Sequence, residues 1–293
     1  MTRVVNAMTV DVEDYFHASA FDRVVSRSSW AARDSRVAKN TGTLLEFFDR
    51  AGIHGTFFVL GWVAERYPQL VRDIAAGGHE IASHGFHHQL IYLLTPDQFR
   101  EDVRRAKATI EDAAGCIVRG YRAPSFSIVR GSLWALDVLL EEGHSYDASI
   151  FPIRHHRYGI ADAPRHAHRI DTPAGSIVEV PSSTVRLGRH NLPIAGGGYF
   201  RLLPYAWTRW GMTRVNAAGE PAVFFIHPWE IDANQPRLPV GGLTAMRHYH
   251  GLDKTLDRLE TLCHEFAFDT VSAMLAARPV ASVPAAARLA HAG

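Results

Sequence analysis

VVNAMTVDVEDYFH, residues 4–17, opens as an apolar, β-branched run and ends in acids. Val4 to Val12 therefore predicts a buried strand. Asp11, Glu13 and Asp14 crowd its C-terminal end. Like charges so close are costly unless a cation or a shared proton relieves them. In parallel α/β scaffolds this end of the strand is where active sites assemble. Glu13 lies two residues after Asp11, so on an extended strand both face the same way. Asp14 faces the other way unless the strand has already turned.

Outward from this stretch the chain alternates short apolar runs with helical patterns. Thr43 to Ala51 reads as a helix with Gly52 just after it, and Gly55 to Leu60 as a buried strand. Ala64 to Ala76 is helical, broken only by Pro68, and His79 to Ser83 is a short strand. Thr95-Pro96-Asp97-Gln98 has the form of a helix start, with Thr as N-cap and Gln reaching back, and that helix runs to about Ala114. Ile117 to Tyr121 is another strand, Ser132 to Glu142 a helix, Ala222 to Ile226 a late strand and Leu252 to Phe266 a late helix. Such alternation predicts βαβ units and a parallel sheet. It does not choose between an open sheet and a closed barrel. Pro152 to Tyr199 lacks periodicity and reads as long loops and short strands. Residues 1–276 form one domain, and 277–293 an Ala/Pro-rich, frayed tail.

The composition narrows the function classes. The 31 Lys+Arg balance 30 Asp+Glu, which argues against a nucleic-acid partner held by a basic face. The two cysteines, Cys116 and Cys263, exclude a disulfide framework and a thiolate zinc site. With 17 histidines, a bound metal would be held by imidazole and carboxylate. No stretch has the roughly 18–20 apolar residues that span a bilayer. Met1 to Ala7 does not read as a secretory signal. Both point to a cytoplasmic protein, one that can work near the inner membrane.

Three further polar clusters follow strands. His84 and His88, in SHGFHH at 83–88, are four apart, and i and i+4 side chains share a face on a helical turn. Two imidazoles so placed can grip one divalent cation and leave other positions open. Arg122, in YRAPSF at 121–126, could clamp a carboxylate and hold it ionised. His227, in FFIHPWE at 224–230, could serve as general acid or base. Read alone, each has a bland alternative: satisfied histidines, a surface Arg beside a turn proline, a core-edge His. Four such clusters at separate strand ends are more informative than any one.

The ordered set resembles the polysaccharide deacetylases, carbohydrate esterase family 4. DVEDYF at 11–16, YDASIFP at 146–152, GGGYFR at 196–201, HPWE at 227–230 and RHYHGLDKTL at 247–256 are similar to the subfamily found with exopolysaccharide and exosortase gene clusters. The resemblance implies a distorted, seven-stranded (β/α) barrel. It also implies metal-dependent hydrolysis of an N-acetyl group from a sugar of a polysaccharide or its lipid-linked precursor. Carried over by position, His84 and His88 are metal ligands, Asp11 the general base and His227 the general acid. Arg122 orients and charges Asp11, and the Ser125 backbone N–H helps hold the oxyanion. The family pattern has two adjacent acids where this chain has Asp-Val-Glu-Asp, so the third ligand is Glu13 or Asp14. His87 reads as lying outside the ligand set or facing substrate. Zinc is the first expectation for the His/carboxylate set, with nickel, cobalt and iron as alternatives. Trp229 and Tyr199, and behind them Tyr15, Phe16 and Phe200, are candidates to line a sugar groove. The competing functions are a related C–N or ester hydrolase (allantoinase-like, or an O-acetyl esterase) and a non-catalytic glycan-binding protein.

Overall fold

The computed structural model describes residues 4–282. Its strands are β1 Val5–Val12, β2 Thr56–Val59, β3 Glu80–Ser83, β4 Gly120–Tyr121, β5 Tyr146–Asp147, β6 His168–Thr172, β7 Gly175–Glu179, β8 Thr184–Leu187, β9 His190–Pro193, β10 Val223–Ile226, β11 Ala267–Asp269 and β12 Ala281–Ser282. The helices that matter below are α1 Val37–Ala51, α2 Gly61–Arg66, α3 Pro68–Ala76, α4 Pro96–Ala114, α5 Ala135–Glu141, α6 Gly197–Leu202, α7 Tyr205–Ala217 and α8 Gly242–Tyr249.

The sheet runs β10-β1-β2-β3-β4-β5-β7 with every neighbouring pair parallel. These are the seven parallel strands of the expected α/β scaffold. Ser183, in the segment between β7 and β8, bonds to β10. Its N–H donates to the Val223 carbonyl at 3.2 Å, and its Oγ accepts from the Val223 N–H at 2.7 Å. Beyond β7 the sheet continues through antiparallel β6 to β12, and β11 pairs with the start of β1. The stretch from Pro152 to Tyr199 supplies β6 and β7 and the separate β8–β9 hairpin, which matches its reading as short strands between loops.

The period of two along β1 explains both the core and the site. Met8, Val10 and Val12 pack outward with Leu44, Phe48 and Phe57 in the main core beneath the helices. Ala7 faces inward with Phe58, Ala82 and Val178. Thr9 and Asp11 share Ala7's parity, so the strand aims them at the interior.

Helix boundaries differ from the sequence reading in instructive ways. The expected single helix over Ala64–Ala76 is two, α2 and α3, because Pro68 disfavours helical geometry at Tyr67 and then starts α3 at its first position. The Thr95–Gln98 capping box is present, and α4 ends at Gly115 as expected. At the start of the tail segment, Ala281 and Ser282 pair with β6, and Arg278 is ion-paired with Glu220 at 2.9 Å. Residues 283–293 of that tail lie outside the described residues. Among the described residues, no helix is long and apolar enough to cross a membrane.

Candidate active site

Among the described residues, one group of ligand atoms lies within 4.8 Å of one another: Glu13, His84 and His88, all buried. Glu13 Oε2 stands 2.8 Å from His88 Nε2. His84 Nδ1 lies 2.8 Å from the Arg122 carbonyl, which can only accept, so Nδ1 carries the proton and Nε2 is left as donor atom. Burial lowers His84 to about 4, so the ring is neutral near pH 7, as a ligand must be. Burial opposes ionisation of Glu13, but the imidazoles around it, His88 first, hold it below the usual carboxylate range. The neutral His84 ring, the His88 ring and one carboxylate are a donor set that fits a divalent cation, with positions left open.

The two histidines are not on a helical turn. They sit on a loop after β3, in which Gly85 (φ 73°) and His88 (φ 51°) are left-handed. Asp102 of α4 holds this loop by accepting from the Phe86 N–H at 2.8 Å and the His87 N–H at 3.2 Å. The N–H groups of Gly61 and Trp62 in α2 donate to the Gly85 and Phe86 carbonyls. Asp102 gave no sign of this in the sequence, because an acid on an amphipathic helix reads as solvated.

Asp14 is not brought to this cluster. The chain turns directly after Glu13, and Asp14 Oδ1 accepts from the Tyr15 N–H. Its Oδ2 accepts from Ser35 Oγ and from the Arg36 and Val37 N–H groups at the start of α1. Asp14 thus serves the otherwise unsatisfied donors of a helix whose own N-cap residue, Arg36, makes no side-chain cap bond.

Asp11 lies beside the cluster. Its Oδ1 accepts from Arg122 Nη1 at 2.6 Å, and its Oδ2 is 3.8 Å from His227 Nε2. Arg122 is fully buried; it also donates to Thr9 Oγ1 and the Ala148 carbonyl, and its guanidinium lies 4.1 Å over the Phe58 ring. Behind it, Asp147 and Glu179 are cross-strand partners, both fully buried. Asp147 Oδ1 is bonded by Ser149, whose Oγ accepts the Ala123 N–H, and Glu179 Oε1 accepts the Ile150 N–H. Burial pushes Asp147 up to about 6 and, with the Asp147 carboxyl beside it, raises Glu179 well above the usual carboxylate range, so burial favours the protonated forms of this pair.

His227 closes the other side. Its Nδ1 lies 2.9 Å from Glu230 Oε2, which also accepts the His227 N–H. Burial alone would lower its pKa; the Glu230 carboxylate outweighs this and, with Glu13 and Asp11, raises it to about 9. Glu230 is in turn ion-paired with Arg201 of α6 at 2.6 Å. Burial opposes the charge on Glu230, but Arg201 and then His227 bring it down to about 2. The sequence reading quoted HPWE and GGGYFR without giving Glu230 or Arg201 a role. The i, i+3 spacing of His227 and Glu230 was the available signal.

The expected substrate wall is largely core. Trp229 is 6% exposed, stacks between His227 and His248, and donates its indole N–H to Glu13 Oε1 at 3.1 Å. It braces the Glu13 carboxylate rather than offering a face to solvent. Tyr15, Phe16 and Phe200 are buried. Tyr199 is half-buried and packs with Tyr158 against Phe126, Phe151 and Phe225. Ser125, with φ 53°, is half-buried, and its Oγ meets Ser19 Oγ at 2.6 Å. His87 is half-buried beside Arg105, outside the ligand group.

Comparison with known proteins gives the same assignment from a separate direction. Residues 21–138 match the family model Polysaccharide deacetylase, and residues 148–276 match Domain of unknown function (DUF3473). The chain is 29% identical over 98 residues to a peptidoglycan-N-acetylglucosamine deacetylase of Bacillus cereus, covering 33% of this chain and 36% of that protein. It is 30% identical over 100 residues to a chitooligosaccharide deacetylase of a Bradyrhizobium species, covering 34% of this chain and 43% of that one. The matches thus span well under half the length of these relatives. In fold, it resembles a Mycobacterium smegmatis protein described provisionally as a polysaccharide deacetylase (TM-score 0.64, 22% identity, covering 94% of this chain and 90% of that one). It also resembles a CE4 family pseudoenzyme of Bacillus anthracis (TM-score 0.50, 13% identity, covering 96% and 68%). That a pseudoenzyme shares the fold means the fold alone does not argue for catalysis. The chain carries a polysaccharide deacetylase domain of carbohydrate esterase family 4, and its second matched segment fits the exopolysaccharide deacetylase subfamily.

Proposed function

We propose that this protein is a metal-dependent N-deacetylase that removes the acetyl group from an N-acetylated sugar of a polysaccharide or its lipid-linked precursor. The observation that carries this reading is that Asp11 and His227 flank one ligand triad, each with its reacting atom free. Asp11 keeps Oδ2, and His227 keeps Nε2.

Glu13, His84 and His88 would hold the cation, for which zinc best fits two imidazoles and a carboxylate. A cation held there would supply Lewis acidity, polarising an acetamide carbonyl and lowering the pKa of a water. Asp11 takes the proton from that water as it attacks, while Arg122 fixes the carboxylate's orientation through Oδ1. His227, protonated through its contact with Glu230, gives a proton from Nε2 to the departing nitrogen. Amines leave poorly unprotonated, so this step needs an acid. The Ser125 N–H is the candidate donor to the oxyanion. Tyr199, half-buried and packed against Phe225, is the remaining aromatic candidate to touch a sugar ring.

Purified protein should bind about one equivalent of zinc, as a single three-ligand site requires, and release acetate from N-acetylated oligosaccharides. A panel of O-acetylated sugars and cyclic amides separates this from esterase or allantoinase-like activity. Zinc-loaded, folded protein that releases acetate from no acetylated glycan would defeat the reading.

A further inference from the structure

We propose that Arg201 is a positioning residue for the acid half of this reaction, acting through Glu230 on His227; the proposal rests on the N-deacetylase reading above. Arg201 is 3% exposed and uses its guanidinium in two directions. Its Nε donates to Glu230 Oε1 at 2.6 Å. Its Nη1 donates to the carbonyls of Arg247, His248 and His250 at 3.2, 2.8 and 2.8 Å. One side chain therefore ties the acid's carboxylate to the C-terminal end of α8.

The geometry explains why an arginine is needed. Glu230 has one oxygen for Arg201 and the other for the N–H and Nδ1 of His227. Held at both ends, the carboxylate cannot rotate, and His227 Nδ1 must donate to it. Nε2 is thereby aimed into the site, 3.8 Å from both Asp11 and Glu13. The carbonyls that Arg201 grips belong to the segment carrying His248, whose ring stacks on Trp229 at 4.3 Å. Trp229 in turn bonds Glu13. Arg201 thus reaches the acid through Glu230 and the ligand carboxylate through His248 and Trp229.

Gly196 and Gly197 place this arginine. Both are left-handed, and a Cβ on Gly196 would sit 2.1 Å from the Phe225 carbonyl. The backbone of α6 can therefore approach the end of β10 only with glycine here. Arg201 follows one turn later, on the side of α6 facing HPWE.

A lysine at this position could meet either Glu230 or the carbonyls, not both, since it lacks the planar fork. The test uses full-length, zinc-loaded Arg201→Gln, Arg201→Lys and Glu230→Gln, and the double variant Arg201→Gln/Glu230→Gln, on an N-acetylated chitooligosaccharide. Arg201→Gln should lower kcat by roughly 10- to 100-fold with KM within about twofold, a loss confined to the transition state. Arg201→Lys should recover part of it. The double variant should be little worse than either single one, because both break the same link. Independently of turnover, nitrogen-15 NMR of labelled histidine should show a hydrogen-bonded Nδ1 proton for His227 in the parent, lost in Arg201→Gln. Unchanged kcat with an unchanged His227 signal would overturn the proposal. So would a kcat loss matched by loss of bound zinc, or fully additive single effects. If Arg201→Gln fails to fold, the Lys variant decides by the same readings. If the parent enzyme cleaves no acetylated glycan, the function reading fails by itself, and the His227 signal still judges Arg201.

Discussion

Arg122 and Arg201 are both buried, and each stands 2.6 Å from a buried carboxylate, yet they serve opposite ends of the proposed reaction. Arg122 touches the base itself and leaves Asp11 one oxygen to work with. Arg201 touches Glu230, whose second oxygen is already taken by His227. The same ion pair therefore yields a base on one side and a protonated imidazole on the other. What differs is whether the carboxylate has an oxygen left over. That criterion also separates Glu13, which gives Oε1 to Trp229 and turns Oε2 toward His88, from Asp14, both of whose oxygens are committed to backbone donors and Ser35.

The largest perturbation should remove both sides at once. A chelator is expected to abolish acetate release, and added zinc to restore it; persistence of turnover in metal-free protein would separate the triad from the reaction. Asp11→Asn should then break the base side alone, lowering kcat/KM by about 10³- to 10⁴-fold, the upper part of the range for acid–base catalysis, with zinc content unchanged. His227→Ala should cost less, roughly 10²- to 10³-fold, with the loss shrinking on substrates whose leaving group needs no proton. Equal losses on good and poor leaving groups would contradict the acid role. Trp229→Phe keeps the stack but removes the donor to Glu13. Competition with a chromophoric chelator should show zinc affinity reduced by about 10- to 100-fold, as for other partners of metal ligands.

The smallest effect concerns the proton behind Arg122. Asp147 and Glu179 bind it more tightly when folded than when unfolded, because burial raises both pKa values. The contribution of Asp147 is fully present below the ordinary carboxylate range and is lost as pH rises through about 6. Asp147→Asn should flatten the melting temperature between about pH 4 and pH 7, a window set by that raised pKa. An unchanged slope would place the proton elsewhere.

Much of this arrangement was legible in the sequence, and the failures have physical causes. The apolar run of β1 and its period of two put Asp11 and Glu13 on one face, and the structure agrees. The spacing of His84 and His88 suggested a pair, but the supposed helical turn is a loop shaped by Gly85 and by a distant Asp102. Local pattern cannot reveal a partner supplied by another element. The role of Asp14 is ambiguous in the sequence for the same reason, because the donors to its Oδ2 come from Ser35, Arg36 and Val37. Trp229 was placed on a groove wall from its neighbours in sequence, whereas its burial depends on α8 closing over it.

The loop after β3 has a consequence for how the cation comes and goes. Its left-handed His88 and its carbonyls and amides are held by Asp102, Gly61 and Trp62, none of them a ligand. The proposed ligands are thus mounted on a loop with its own hydrogen-bonded supports, unlike the ligands of small domains that fold only around their metal. Such a socket would permit replacement of one divalent ion by another without refolding. The ion bound there would then reflect supply as much as affinity.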